Sequence, residues 1–164
     1  MKKWCVRLMV AASLIAVTHL ASAQNLISNP GFESGVLSPW DASTLPGYNA
    51  GNWAVLPDNP HTGLGSAHNF FDGGLYQVAN GISAGATYTF KGSTFLQAGG
   101  DLNANGTANG WGSFVQLRWL NSSGAPIGGN VFDLDVDGLA RNQWNTFSQN
   151  FVAPTGATKA RVLI

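Results

Sequence analysis

The chain has 164 residues, of which 10% are charged, 45% hydrophobic and 11% aromatic, with 21 glycines and a formal net charge of zero. This composition is too rich in aromatic and apolar side chains for a disordered segment, and its basic residues are too scattered to track a phosphate backbone, which argues against a nucleic-acid partner. The single cysteine, Cys5, falls in the N-terminal leader, so the rest of the chain offers no disulfide, thiol nucleophile or thiolate metal site.

Residues 1–23 read as a signal peptide. Lys2, Lys3 and Arg7 form its positive region, Leu8 to Val17 its apolar core, and Ala21-Ser22-Ala23 its small-residue cleavage site. The apolar run is well short of the about 20 residues needed to span a membrane. The mature chain is expected to begin at Gln24 and to be secreted, to the extracellular space or the cell envelope, with no membrane association after cleavage. It keeps five bases (Lys91, Arg118, Arg141, Lys159 and Arg161) against eight acids, a net charge of minus three. Residues 24–164 suit one domain.

No segment of that domain holds a helical period; apolar residues alternate over short runs separated by turn chemistry, which predicts an all-β antiparallel architecture. The first run, Asn25-Leu26-Ile27-Ser28, reads as a short strand stopped by Asn29-Pro30-Gly31, and is followed by Phe32, the lone glutamate Glu33, Ser34, Gly35 and then Pro39-Trp40. Strands are then predicted at Asn52 to Leu56, Ala67 to Phe71 and Leu75 to Ala79, with His61-Thr62-Gly63 in a turn between the first two.

Ala86 to Gln97 reads as a long strand with Tyr88, Phe90 and Leu96 on one face and Thr89, Lys91, Ser93, Phe95 and Gln97 on the other. A Gly/Asn-rich loop follows through Gly112. The next strand sets Val115, Leu117 and Trp119 against Gln116 and Arg118. Val131 to Val136 alternates Phe132, Leu134 and Val136 with Asp133 and Asp135. Trp144 to Val152 offers Phe147 and Phe151 to a core, and Thr158 to Ile164 starts a strand in whose middle the sequence ends. A strand left there would present an apolar edge, so a missing C-terminal strand or strands is expected.

The ordered set Asn25 to Gly35 with Trp40, His61-Thr62-Gly63, Tyr76-Gln77-Val78 with Gly85 to Phe90, Val115 to Gly124, and Trp144 to Ser148 through Phe151 to Ala157 resembles the CenC-type carbohydrate-binding modules, the group that includes the family-four and family-nine modules. The resemblance implies a two-sheet jelly-roll sandwich related to galactose-binding-like domains. It also implies a structural calcium ion held in part by Glu33, by backbone carbonyls and by a late aspartate that would lie past Ile164. No cofactor is otherwise required.

Catalysis is not expected within the chain. Glycoside cleavage needs two carboxylates flanking the scissile bond, and no motif singles out a pair among Glu33 and the aspartates. His61 and His68 lack a nucleophile elbow. Asp101 to Gly106 and Asp133 to Gly138 copy the first six positions of an EF-hand loop but lack the closing glutamate and the helices; they read as a polar loop and a solvent-facing strand. Asn105 and Asn121 match the N-glycosylation pattern, which arises readily by chance in an Asn/Ser-rich chain.

Sugar binding combines aromatic platforms for apolar C–H faces with fixed polar groups for hydroxyls. Trp111, in the Gly/Asn-rich loop, is the leading platform candidate, joined by Trp53 and Tyr48; Trp40, Trp119 and Trp144 read as structural. Lys91, Ser93 and Gln97 supply one polar row, and Gln116 and Arg118 another beside it, provided their strands pair. The expected function is thus a secreted, non-catalytic module that binds a polysaccharide or oligosaccharide, tethering an attached glycoside hydrolase to its substrate. The alternative is an adhesion or matrix protein that uses the same sandwich without an enzyme.

Overall fold

The computed structural model describes residues 24–42, 52–69, 73–97 and 113–164. It contains eight strands: β1 (Trp53–Leu56), β2 (Ser66–Asn69), β3 (Tyr76–Asn80), β4 (Thr87–Phe95), β5 (Phe114–Leu120), β6 (Phe132–Asp135), β7 (Trp144–Val152) and β8 (Lys159–Leu163). All strand pairings are antiparallel, and no helix occurs among the described residues. The predicted all-β sandwich is the fold observed.

One sheet has four strands in the order β3-β8-β5-β6; β4 pairs with β7 along nine residues, and β1 pairs with β2. Alternation dictates which faces meet. Val115, Leu117 and Trp119 of β5 are buried and Phe132 stands opposite Leu117, so these side chains share the inner face of the four-stranded sheet. Tyr88 and Phe90 of β4, with Phe147 and Phe151 of β7, come to meet them. Tyr88 lies 5.9 Å from Trp119, and Phe132 lies 5.2 Å from Phe90, 5.0 Å from Phe147 and 6.1 Å from Phe151, measured between ring centroids. Sheet is joined to sheet by aromatic rings in tilted and edge-on contacts, the geometries their quadrupoles favour. Small residues (Ala79, Ala153, Ala157 and Ala160) let the rest of the core close around Trp119.

Gly92 makes the β4–β7 pair possible in this form. It stands opposite Phe147, and a Cβ at Gly92 would lie 2.6 Å from Cζ of that ring. The bare backbone of β4 is therefore the floor on which Phe147 lies, which puts that ring within reach of both Phe90 and Phe132.

Three expectations are corrected here. First, Asn25 to Ser28 is not a strand. Its backbone is taken up by a side chain instead: the Ser28 N–H donates to Gln77 Oε1 at 2.7 Å and Gln77 Nε2 donates to the Ser28 carbonyl at 2.9 Å. The primary amide of Gln77, the one buried polar residue among those described, thus does the work of a strand partner at a single position. Second, β4 and β5 do not pair; they belong to opposite sheets. Third, β8 is not at an edge. It runs between β3 and β5 and is hydrogen-bonded on both sides, with Leu75 and Ile164 exchanging bonds just beyond its end. Central placement accounts for the apolar Val162-Leu163-Ile164 run.

Candidate functional site

The four-stranded sheet and the β4–β7 pair each leave an outward face, and most of the described residues singled out from sequence divide between them. On the four-stranded sheet, Gln116 and Arg118 point away from the core, as their alternation requires. Gln116 Nε2 donates to the two Asp133 carboxylate oxygens at 3.2 and 3.3 Å, Asn130 Nδ2 donates to Asp133 Oδ2 at 3.1 Å, and Arg118 Nε donates to Asn130 Oδ1 at 2.7 Å. These side chains form one connected network whose donors and acceptors already serve each other. The copied EF-hand stretch is part of it: Asp133 and Asp135 lie exposed on β6, and Asp135 Oδ1 accepts from the Asp137 N–H at 2.9 Å in an Asx turn.

The outward face of β4 and β7 is built differently. Register places Thr89 opposite Asn150, Lys91 opposite Ser148, Ser93 opposite Thr146 and Phe95 opposite Trp144, all on the side away from Phe90 and Phe147. Thr89 Oγ1 donates to Asn150 Oδ1 at 2.7 Å. Lys91, Thr146, Ser148 and Asn150 are exposed. At one end of this row the face turns aromatic. Trp144 and Phe95 are 5.5 Å apart, and the His61 ring meets Trp144 edge-on at 5.0 Å. His61 Nε2 lies 3.4 Å from Ser93 Oγ, which ties the His61-Thr62-Gly63 turn to the middle of β4.

Trp144, expected to be structural, packs against Phe95 and His61. It is half-buried, on the outward face, at the end of a hydroxyl and amide ladder. A signal existed: Trp144 opens a strand whose inward positions are Phe147 and Phe151, and the odd spacing from Trp144 to Phe147 places the tryptophan on the other face. Lys91 and Ser93 lie on this face as expected, and Gln97 is exposed two residues past β4, its carbonyl accepting from Arg141 Nη1 at 3.4 Å. Gln116 and Arg118 do not adjoin them, because β5 is in the other sheet. Trp53 is in β1, half-buried, with its indole N–H enclosed and without a hydrogen-bond partner among the described residues. Trp111 and Tyr48 lie outside the described residues.

The opening motif is a turn cluster organised by Asn29. Its carbonyl accepts from Trp40 Nε1 at 3.1 Å, and its amide nitrogen donates to the carbonyls of Val36 and Ser38 at 2.9 and 3.1 Å. Phe32 adopts a left-handed conformation, φ 61°, and buries its ring 5.4 Å from Trp40. Glu33 then reaches across to the second motif: its Oε2 accepts from the Leu64 N–H at 2.6 Å, and its carboxylate lies so close over Gly63, φ 73°, that any Cβ there would collide with it. This is why a glycine follows His61-Thr62. Calcium takes six to eight oxygens; among the described residues no three His, Cys, Asp or Glu side chains gather at one point, so most ligands of an ion at Glu33 would have to come from elsewhere than these side chains.

The second histidine does not form a nucleophile pair. His68 Nε2 lies 2.9 Å from Ser66 Oγ and 3.0 Å from the Asp58 carbonyl, to which Ser66 Oγ also donates at 3.0 Å. A carbonyl only accepts, so a hydrogen bond from Nε2 to Asp58 requires the proton on Nε2, and in that tautomer the ring cannot take one from Ser66. Asn121, in the second glycosylation pattern, accepts through Oδ1 from Ser123 N, Ser123 Oγ and Ala125 N, closing the β5 turn.

No family model matches the sequence, and no curated protein matches it. Solved structures do. The enzymatically active domain of bacteriophage CBA120 tailspike protein 4 aligns at TM-score 0.61 and 14% identity, over 85% of this chain and 18% of that one, so this chain spans under a fifth of its length. The C-terminal family 22 carbohydrate-binding module of Clostridium thermocellum Xyn10B aligns at TM-score 0.50 and 18% identity, over 82% of this chain and 79% of that one. TmCBM61, solved with β-1,4-galactotriose, aligns at TM-score 0.49 and 16% identity, over 86% of each chain. The shared feature is the fold. Carbohydrate-binding modules are among its structural neighbours.

Proposed function

We propose that this chain is a non-catalytic carbohydrate-binding module of CenC type that holds a polysaccharide along the outward face of β4 and β7. The observation that carries this reading is the ladder of exposed hydroxyl and amide pairs that ends on Trp144, Phe95 and His61. Hydroxyls and amides both donate and accept, as sugar hydroxyls do, and an aromatic ring offers the flat apolar surface that a pyranose C–H face needs. Nine paired residues run about 27 Å, room for several sugar rings. The family 22 module named above is described by its ligand-binding cleft, and the same sandwich supports a similar use here.

In this reading the chain is secreted, and its role in a longer protein is to hold an attached glycoside hydrolase on substrate. A structural calcium at Glu33 is a separate proposal with no part in sugar binding: chelation is expected to lower the melting temperature and leave retention unchanged, and an unaltered melting curve would leave Glu33 as an acceptor for Leu64 alone.

Affinity electrophoresis in gels containing β-glucan, xylan or galactan tests the reading. The wild type should be retarded by at least one glycan, and Trp144→Ala should lose that retardation while melting at the wild-type temperature. Retention of Trp144→Ala equal to wild type would remove the proposed face.

A further inference from the structure

The outward face of β4 and β7 has an uneven distribution of charge. Of the ten residues paired along it (Thr87, Thr89, Lys91, Ser93 and Phe95 with Trp144, Thr146, Ser148, Asn150 and Val152), one is charged, and that one is a cation. The acids among the described residues are placed elsewhere: Glu33 at the Gly63 turn, Asp41 bridged to Tyr76, Asp58 in the turn after β1, and Asp133, Asp135 and Asp137 on and after β6 of the other sheet. Lys91 is exposed near the middle of the row, opposite Ser148 and between Thr89 and Ser93.

Two arginines elsewhere on the sandwich are already engaged. Arg118 is held by Asn130, and Arg141 reaches the Gln97 carbonyl. At Lys91 the strand register supplies hydroxyl neighbours that can share hydrogen bonds with a ligand, with no carboxylate directly across. A strongly hydrated point charge on a flexible stem suits an oxyanion that approaches from solvent. An acid in this row would repel an anionic chain; the row has none.

We propose that the glycan bound on this face carries an anionic group, a carboxylate or a sulfate, that pairs with Lys91 while a neighbouring part of the same chain stacks on Trp144. Lys91 and Phe95 are four residues apart on β4, about 14 Å, so the charged and stacked sugars are separate units of one polymer. This rests on the assignment of the β4–β7 face as the glycan site and adds the class of sugar that the site selects.

The test compares wild type, Lys91→Gln and Trp144→Ala in gels containing polygalacturonate, a sulfated galactan, or neutral galactan and xylan, each at about 0.02 M and about 0.5 M salt, where screening is weak and then strong. The wild type should be retarded by an anionic gel and lose most of that retardation at high salt. Lys91→Gln should bind that gel about tenfold more weakly, lose more retention there than in any neutral gel, and melt as the wild type does; the two anionic gels separate carboxylate from sulfate. Wild-type retention by neutral gels alone, or Lys91→Gln equal to wild type on the anionic ones, overturns the charge assignment and leaves the binding face standing. Retention by no gel, or Trp144→Ala equal to wild type on every gel, overturns the face and the charge assignment together.

Discussion

The two outward faces of this sandwich are both polar and differ in how much charge they carry and in what their side chains are bonded to. On the four-stranded sheet, Gln116, Asp133, Asn130 and Arg118 satisfy one another, a charged network closed on itself. On β4 and β7, short hydroxyl and amide side chains stand in register, bonded among the described residues from Thr89 to Asn150 and met by His61 at Ser93, and end on the ring pair of Phe95 and Trp144. A ligand on the first face would have to break hydrogen bonds to make its own, a near-even exchange. On the second, fewer such bonds stand among the described residues. Binding potential therefore follows from unspent donors and acceptors, and polarity alone does not reveal it.

The largest expected effect tests what keeps the two faces in one body. Trp119 is 2% exposed and touches Tyr88 across the core; Trp119→Ala should cost about 3–5 kcal/mol in chemical denaturation, enough to abolish folding in a marginal domain. Trp144→Ala comes next. Truncation of a central aromatic anchor typically costs about 2 kcal/mol or more of binding energy, roughly thirtyfold in affinity, with little change in melting.

Gly92→Ala sharpens the comparison from beneath. Its methyl would strike Phe147, so a loss of about 1–3 kcal/mol in stability is expected, with weaker glycan retention because β4 and β7 shift together. Gly63→Ala meets both a positive φ and the Glu33 carboxylate; denaturation should show a loss of about 1–3 kcal/mol. Arg118→Ala is the smallest. It removes one end of the closed network and should leave glycan retention within experimental scatter of wild type.

Most of the fold was legible in the sequence because alternation is a local property. Val115-Leu117-Trp119 against Gln116-Arg118, and Phe132-Leu134 against Asp133-Asp135, could be assigned to faces from their order alone, and Trp144 to Val152 is the strand observed. Pairing was not legible. Whether β4 lies beside β5 or β7 depends on contacts across some fifty residues of sequence, and that choice decides whether Lys91 meets Arg118 or Ser148. The opening stretch misled for a related reason: Leu26-Ile27 is apolar enough for a strand, yet the group that satisfies Ser28 is the side chain of Gln77, forty-nine residues away. The role of Glu33 toward Gly63 and Leu64 joins two motifs that the sequence shows only as separate turns.

Chemical-shift mapping with the glycan that retards the wild type most strongly tests the central claim most directly. Backbone amides of Lys91, Ser93, Thr146 and Ser148 and the indole N–H of Trp144 should shift together as the glycan is added, while those of Gln116 and Arg118 stay in place. Shifts centred on Gln116 and Arg118, with Trp144 unmoved, would contradict the assignment of the binding face.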